Sequence, residues 1–185
     1  MSDKTADSTR SFRLVGLPGD GIGPEVYASA RQVLAVLQER YGLRIELDEQ
    51  LIGGAAVDAM GEPLPQQTID ACRNADAALL GAVGGPQWDG NPAEQRPELG
   101  LLKIRAEFSL FCNLRPIVTH PALHSFSPIR AERLRDVDLM IVRELTGGSY
   151  FGKKWRDADQ AEDVCRYTRP EVERVTRAAA RIAQQ

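Results

Sequence analysis

The feature that most constrains the fold of this chain is the alternation of short apolar segments with helical segments in its first 80 residues. Residues 12–17 are mostly apolar and end at Pro18-Gly19, which is typical of a strand followed by a turn. Pro24 suits the first turn of a helix, because its missing N–H costs nothing there. This helix is expected to end at Gly42 and to bury one apolar face, formed by Val26, Ala30, Val33, Leu34 and Leu37.

Two further strands and a second helix continue the alternation. Residues 43–47 alternate apolar with charged side chains, as in a half-buried strand, and residues 65–73 predict a helix. Residues 77–80 are all apolar, which is expected of a strand with helices on both faces. The order strand, helix, strand, helix, strand predicts an α/β layered sheet.

A second set of elements follows a loop at residues 81–98, which is rich in glycine and proline and too irregular for a mere connector. The last helix of the chain is expected to begin at a capping box formed by Thr168 and Glu171. The elements expected between them are a helix over 99–108, strands over 113–118 and 137–143, a helical turn near 129–135 and a hairpin whose return strand is 164–167.

Composition and charge exclude several classes of function. The 23 lysine and arginine residues against 26 aspartate and glutamate residues give a net charge of −3, so no general polyanion-binding surface is expected. No apolar run approaches the roughly 20 residues that a membrane-spanning helix needs. Residues 1–11 are polar and lack the apolar core of a secretory signal, so they are expected to form a disordered leader.

The cysteines and histidines do not suggest a disulfide framework or a metal site. Cys72, Cys112 and Cys165 are odd in number and far apart, which fits a reducing compartment. His120 and His124 have the i, i+4 spacing of a helical metal site, but Pro121 lies between them. We therefore expect both histidines in a surface loop.

Three groups of residues are candidates for chemistry. The segment GLPGDGIGPE at residues 16–25 has the character of an anion-binding turn, but Pro24 stands where the dinucleotide fingerprint has its last glycine, so a tight structural turn remains an equal alternative. Arg105, Arg115 and Arg143 would suit a small dicarboxylate if they converge, whereas ordinary surface ion pairing is the alternative. Tyr150 lies in a glycine-rich turn, where it would be either a general acid or an aromatic plug of a hairpin.

The segments GLPGDGIGPE, GAVGGPQWD, RPELGLLKIR, NLRP and IVRELTGGSYFG occur together in this chain in a fixed order. In that order and spacing the chain resembles the 3-isopropylmalate dehydrogenases, which belong to the β-decarboxylating dehydrogenases with isocitrate, homoisocitrate and tartrate relatives. The resemblance runs from Arg13 to the end of the chain. It implies an α/β isopropylmalate/isocitrate dehydrogenase-like layered fold, truncated, with residues 12–110 in the first domain and residues 111–185 in part of a second domain that carries a β-hairpin arm.

The resemblance implies a reaction, its cofactors and an assembly. The family oxidises 3-isopropylmalate with NAD and then decarboxylates it to 2-oxoisocaproate, in leucine biosynthesis. It uses Mg²⁺ or Mn²⁺ and acts as a cytoplasmic homodimer, with no nucleic-acid or membrane partner expected.

The resemblance also assigns roles to residues. Arg105, Arg115 and Arg143 match the arginines that hold the malate carboxylates, and Tyr150 matches the tyrosine that relays a proton to the product enol. Apolar side chains at Leu101 and Leu102 favour the isopropyl group, since isocitrate-specific relatives are polar there. The loop lining the nicotinamide end of the cofactor corresponds to Gly85, Pro86, Gln87, Trp88, Asp89, Gly90 and Glu98.

By the same resemblance, the catalytic lysine, the metal-binding aspartates and the adenine-binding loop correspond to positions beyond residue 185. No metal ligand is therefore expected in this chain, the choice between NAD and NADP stays open, and the 185 residues alone are expected to show no measurable turnover. Two other interpretations stay open. One is a dehydrogenase of the tartrate or D-malate type, and the other is a non-catalytic fragment that pairs with an intact subunit.

Overall fold

The structure is a computed structural model that describes residues 11–185. The chain divides into two compact units, Met1–Glu107 and Phe108–Gln185, close to the predicted boundary at residue 110. Most of the predicted leader, residues 1–10, lies outside the described residues. Ser11, which was also assigned to the leader, is the first residue of a strand.

The first unit is built on a parallel sheet. Its strands are ordered β2-β1-β3, and α1 packs against β1 and β3 while α3 contacts β1. The predicted α/β layered fold is confirmed. The elements of this unit are β1 (Ser11–Gly19), α1 (Gly23–Tyr41), β2 (Arg44–Glu49), α2 (Gly54–Met60), α3 (Gln66–Arg73), β3 (Ala77–Ala82) and α4 (Pro97–Glu107), with 3₁₀ turns at Pro86–Trp88 and Ala93–Gln95.

The buried side of α1 differs from the prediction. Val26 and Val33 are 50% and 60% exposed, whereas Tyr27 is buried and its hydroxyl donates a hydrogen bond of 3.2 Å to Glu49. Burial, together with the adjacent Glu49 carboxylate, raises the pKa of Tyr27 to about 12. The prediction was wrong for Val26 and Val33, whereas Ala30, Leu34 and Leu37 are half-buried. Apolar spacing shows which side chains are apolar, but it does not show that the sheet covers the line of the helix that begins with Gly23 and Tyr27.

The covering of β3 also differs from expectation. Ala77 and Ala78 are exposed, although helices were predicted on both faces of this strand. The reason is the position of β3, which is an outer strand of the sheet that residues 11–107 form.

The second unit contains two antiparallel strand pairs, β4 with β5 and β6 with β7, and α6 packs against β5. The predicted capping box of Thr168 and Glu171 is present at the start of α6. Across both units, no helix among residues 11–185 has the length and apolar character needed to cross a membrane. The elements are β4 (Cys112–Val118), α5 (Ala131–Leu134), β5 (Asp138–Glu144), β6 (Lys154–Arg156), β7 (Ala161–Asp163) and α6 (Arg169–Ile182), with 3₁₀ turns at Pro121–Phe126 and Gly148–Tyr150.

The hairpin returns earlier than predicted. Its second strand is Ala161–Asp163 rather than residues 164–167. The Asp157 side chain accepts hydrogen bonds of 2.9 and 2.8 Å from the N–H groups of Asp159 and Gln160. This local turn reverses the chain directly after β6, so the return strand begins sooner.

Candidate functional site

The loop after β3 and the first turn of α4 form a cavity of about 330 Å³ in the first unit. It is lined by four of the residues predicted to contact the cofactor, Gly85, Trp88, Asp89 and Glu98, together with Arg96 and Pro97. Pro86 belongs to the 3₁₀ turn of the same loop, and Gln87 and Gly90 lie in that loop as exposed residues. The structure therefore brings the core of this predicted set into one cavity.

Two contacts fix the shape of this loop. Trp88 is 7% exposed, lies against Gly54 where a Cβ would overlap its ring, and donates from Nε1 to Asp58 Oδ1 at 3.0 Å. Gly84 has φ +108°, and a Cβ there would lie 2.6 Å from Glu98 Oε1. Only glycine adopts this conformation readily while leaving room for the carboxylate.

The size and charge of the cavity indicate what it can hold. Its volume is at the lower end of the range of about 300–1,000 Å³ for small-molecule pockets, so it fits one end of a dinucleotide rather than the whole. Asp89 and Glu98 supply acceptors, and Arg96 supplies donors. Two carboxylates against one guanidinium disfavour phosphates and suit a neutral or cationic ring that carries an amide.

One side of α4 links this cavity to the predicted substrate residues. Glu98, Leu101, Leu102 and Arg105 follow the spacing i, i+3, i+4, i+7, which places them in one stripe along the helix. The buried residues of the same helix, which form its other side, are Pro97, Gly100 and Ile104. The predicted cofactor residue Glu98 thus begins the stripe that carries three predicted substrate residues.

The second unit brings Arg143 and Tyr150 into contact and places Arg115 on the same face of the sheet as Arg143. Asn113 is paired with Arg143 across β4 and β5, and Arg115 is two residues further along β4. The side chains of Asn113, Arg115 and Arg143 therefore share one face of the sheet. Arg115 Nε donates to Asn113 Oδ1 at 2.8 Å. Arg143 Nη2 donates to Tyr150 Oη at 3.0 Å, and its guanidinium carbon lies 5.4 Å from the centre of the Tyr150 ring.

The turn that carries Tyr150 is held by Glu144, a residue that the sequence analysis missed. Its carboxylate accepts hydrogen bonds from Thr146 N and Oγ1, both at 2.8 Å, from Gly147 N at 2.7 Å and from Arg174 Nη2 at 3.0 Å. Burial raises the pKa of Glu144, but these hydrogen bonds outweigh it and hold the pKa below the ordinary value of 4.5. The only sequence signal was an acidic residue directly beside Arg143.

Replacing Glu144 with glutamine is expected to lower the free energy of unfolding of the second unit by about 1.5–3 kcal/mol at neutral pH. The amide has one acceptor oxygen, so its NH₂ group must face either the N–H groups of Thr146 and Gly147 or the guanidinium of Arg174. Since folding lowers the pKa of Glu144, its contribution is present above the unfolded pKa and is lost as the pH falls through the folded pKa. The difference between the two proteins should therefore shrink in acid.

Urea unfolding followed by circular dichroism at neutral and acidic pH measures this difference. The matched control is Glu173→Gln, because Glu173 is exposed and pairs with the exposed Arg169. Equal losses of stability in the two variants would show that the Glu144 network does not hold the turn.

The remaining predicted residues have separate positions. Leu101, Leu102 and Arg105 belong to the first unit, so convergence of all three arginines stays a prediction. His120 is exposed and His124 half-buried in the 3₁₀ turn Pro121–Phe126. Within residues 11–185 no group of three or more histidine, cysteine, aspartate or glutamate side chains is arranged to hold a metal ion.

Comparison with known proteins defines the class to which this fold and site belong. The model of the isocitrate/isopropylmalate dehydrogenase family matches residues 13–185, so the chain belongs to that family. Within it, the chain is 50% identical to 3-isopropylmalate dehydrogenase of Heyndrickxia coagulans over 177 residues and 51% identical to that of Bacillus subtilis (strain 168) over 177 residues. These alignments cover 94% and 92% of this chain and 48% of each enzyme. The chain therefore spans about half the length of the curated relatives it matches.

Solved structures give the same result. Isocitrate dehydrogenase from Methylococcus capsulatus matches 94% of this chain with a TM-score of 0.74 and 28% identity, over 49% of its own length. A β-decarboxylating dehydrogenase from Thermococcus kodakarensis matches 90% of this chain with a TM-score of 0.63 and 30% identity, over 44% of its own length.

Proposed function

We propose that this chain is part of an NAD-dependent dehydrogenase that oxidises and decarboxylates 3-isopropylmalate, working as a cytoplasmic homodimer in leucine biosynthesis. The observation that carries the proposal is the contact of 3.0 Å between the Arg143 guanidinium and the Tyr150 hydroxyl. It joins a carboxylate-binding cation to a proton donor within one unit. The identity of about 50% to 3-isopropylmalate dehydrogenases supports the choice of substrate.

The residues of the second unit supply charge and a proton. Arg143 and Arg115 lie on one face of the β4–β5 pair, where their guanidinium groups would hold the carboxylates of the malate skeleton. The chemistry that NAD would supply is acceptance of the hydride from the hydroxyl-bearing carbon, while the hydroxyl proton would pass to the catalytic lysine that the resemblance places beyond residue 185. When carbon dioxide leaves, its bonding electrons form an enolate, and the Tyr150 hydroxyl donates the proton that converts this enolate to the product. Fixed cations lower the cost of developing negative charge at this stage.

The residues of the first unit supply orientation and specificity. Arg105 would contribute a further cation, and Leu101 and Leu102 would meet the isopropyl group. Apolar contacts of this kind discriminate by roughly 1–3 kcal/mol for each pocket group. The loop cavity beside Glu98 fits the nicotinamide end of the cofactor by size and charge. The described residues do not form a divalent-metal site, so no step is assigned to a metal here.

The test is a substrate panel with NAD and Mg²⁺ or Mn²⁺. The protein is this chain fused at residue 185 to the matching C-terminal half of the Bacillus subtilis relative, with the 185-residue chain alone as the comparison. We expect the highest kcat/KM with 3-isopropylmalate in the fusion and no measurable turnover in the chain alone. A higher kcat/KM with isocitrate, tartrate or D-malate would contradict the proposed substrate. Turnover by the chain alone would contradict the need for a second half.

A further inference from the structure

The carboxylate of Asp20 lies at a junction of three chain segments and belongs to no step described above. Asp20 is 3% exposed and follows the end of β1 in the glycine-rich segment. Its Oδ2 accepts from Gly54 N at 2.7 Å and from Gly84 N at 3.0 Å, and its Oδ1 accepts from Ala55 N at 2.7 Å. One side chain therefore joins the end of β1, the start of α2 and the loop that follows β3.

The contact between Asp20 and Gly84 matters for the site, because Gly84 directly precedes the cavity loop. On one side of Gly84 its N–H is bound to Asp20, and on the other side the Glu98 carboxylate occupies the space that a Cβ would need. Helix α2 holds the same loop at its other end, where Trp88 lies against Gly54 and donates to Asp58. The contacts at both ends of the loop thus involve α2, and Asp20 connects α2 to Gly84.

We propose that Asp20 is a positioning residue that fixes the loop from Gly84 to Trp88, and through it the cavity proposed to hold the nicotinamide end of the cofactor. This inference rests on the proposed function for the role of the cavity, and on the three N–H contacts for the positioning itself. Asp20 also explains the acidic residue within the segment GLPGDGIGPE. A glycine-rich turn that itself bound an anion would not direct a buried carboxylate at the neighbouring N–H groups.

Asp20 accepts three hydrogen bonds and Asp58 accepts one, and this difference allows a test with matched substitutions. Both oxygens of Asp20 accept, so asparagine must place its NH₂ group against at least one backbone N–H. Asp58 accepts one bond, from Trp88 Nε1, which an amide oxygen accepts equally well. Asp20→Asn and Asp58→Asn therefore remove the same charge from the same region, but only the first leaves a backbone N–H of the junction facing an NH₂ group.

The experiment measures amide hydrogen exchange in the 185-residue chain and Trp88 fluorescence in a Trp155→Phe background, where Trp88 is the remaining tryptophan of two. Asp20→Asn is expected to speed exchange at Gly84, Gly54 and Ala55 by about tenfold or more and to shift Trp88 emission toward that of exposed indole. Asp58→Asn is expected to leave exchange at these amides within about twofold of the parent. Equal effects of the two substitutions, or no effect of Asp20→Asn, would overturn the proposal.

A measurement on the unsubstituted chain decides the question even where Asp20→Asn does not fold. Because one carboxylate binds all three amides, Gly84, Gly54 and Ala55 should exchange through a shared opening with equal free energies. Exchange of Gly84 through a separate, easier opening would overturn the proposal. Adding NADH to the fusion protein used for the substrate panel tests the proposed function separately. An unchanged exchange rate at Gly84 on adding NADH would contradict the cofactor role of the loop, while the exchange rates without NADH would still decide the role of Asp20.

Discussion

Replacing Arg143 with alanine is expected to lower kcat/KM for 3-isopropylmalate by about two to three orders of magnitude. Two effects combine in this loss. A substrate carboxylate loses its guanidinium partner, and the Tyr150 hydroxyl loses the donor that lies 3.0 Å away. Arg143→Lys should recover only part of the loss, since an ammonium restores the charge but not the planar fork. The measurement is steady-state kinetics on the fusion protein used for the substrate panel.

Tyr150→Phe separates these two effects. It keeps the ring over which Arg143 lies but removes the proton donor, so kcat should fall with little change in KM. Because the two residues are in contact, the effects of Arg143→Ala and Tyr150→Phe should not add in the double variant. Arg177→Ala, on α6 of the same unit, is the control for loss of an exposed arginine. Equal kinetics of the Arg143 and Arg177 variants would remove the central support for the proposed function.

Replacing Gly81 with alanine is expected to destabilise the first unit by about 3 kcal/mol. A Cβ on Gly81 would lie 2.5 Å from the carbonyl oxygen and 2.9 Å from the carbonyl carbon of Gly23. Both are backbone atoms at the start of α1, and the carbonyl oxygen of Pro18 in β1 lies nearer still. The clash is therefore relieved only if both α1 and the end of β1 move away from β3. A loss of stability would be informative, because replacing glycine with alanine inside a strand ordinarily stabilises a protein.

Urea unfolding followed by Trp88 fluorescence in the Trp155→Phe background measures the effect of Gly81→Ala. The control is Gly90→Ala in the loop after β3, where no atom lies within 4 Å of the added Cβ. An unchanged unfolding midpoint for Gly81→Ala would show that β3 and α1 do not approach as closely as the structure has them.

Much of the fold was predictable because its signals are local. The strands β1, β2 and β3 and the helices α1 and α3 were predicted from apolar spacing and from the residues that end each element, whereas the short helix α2 was not predicted. The capping box of α6 needs only Thr168 and Glu171. The hairpin was misplaced although its signal is also local. The residues around Asp157 form a polar stretch in which the side-chain pattern does not mark the turn, and the next apolar residues predict a return strand at 164–167 instead.

The candidate site was predictable in part, and only through resemblance. Motif matching identified Arg143 and Tyr150, whose contact the structure shows. It did not identify the roles of Asp20 or Glu144. Their partners are mainly backbone N–H groups, which nearly every residue type carries, so the sequence holds no pattern that marks these hydrogen bonds. Two of the partners of Asp20 are 34 and 64 residues away along the chain.

The amino-acid sequence alone determined where β1, α1, β2 and β3 lie, since each depends on periodicity and turn residues within a few positions. Only the tertiary structure decided which apolar side chains are covered, as the exposed Val26 and Val33 on α1 show. It alone also decided that Asp20 binds the start of α2 and the loop after β3. The physical reason is that burial and hydrogen bonding depend on which distant segments meet, and no local pattern of side chains specifies that meeting.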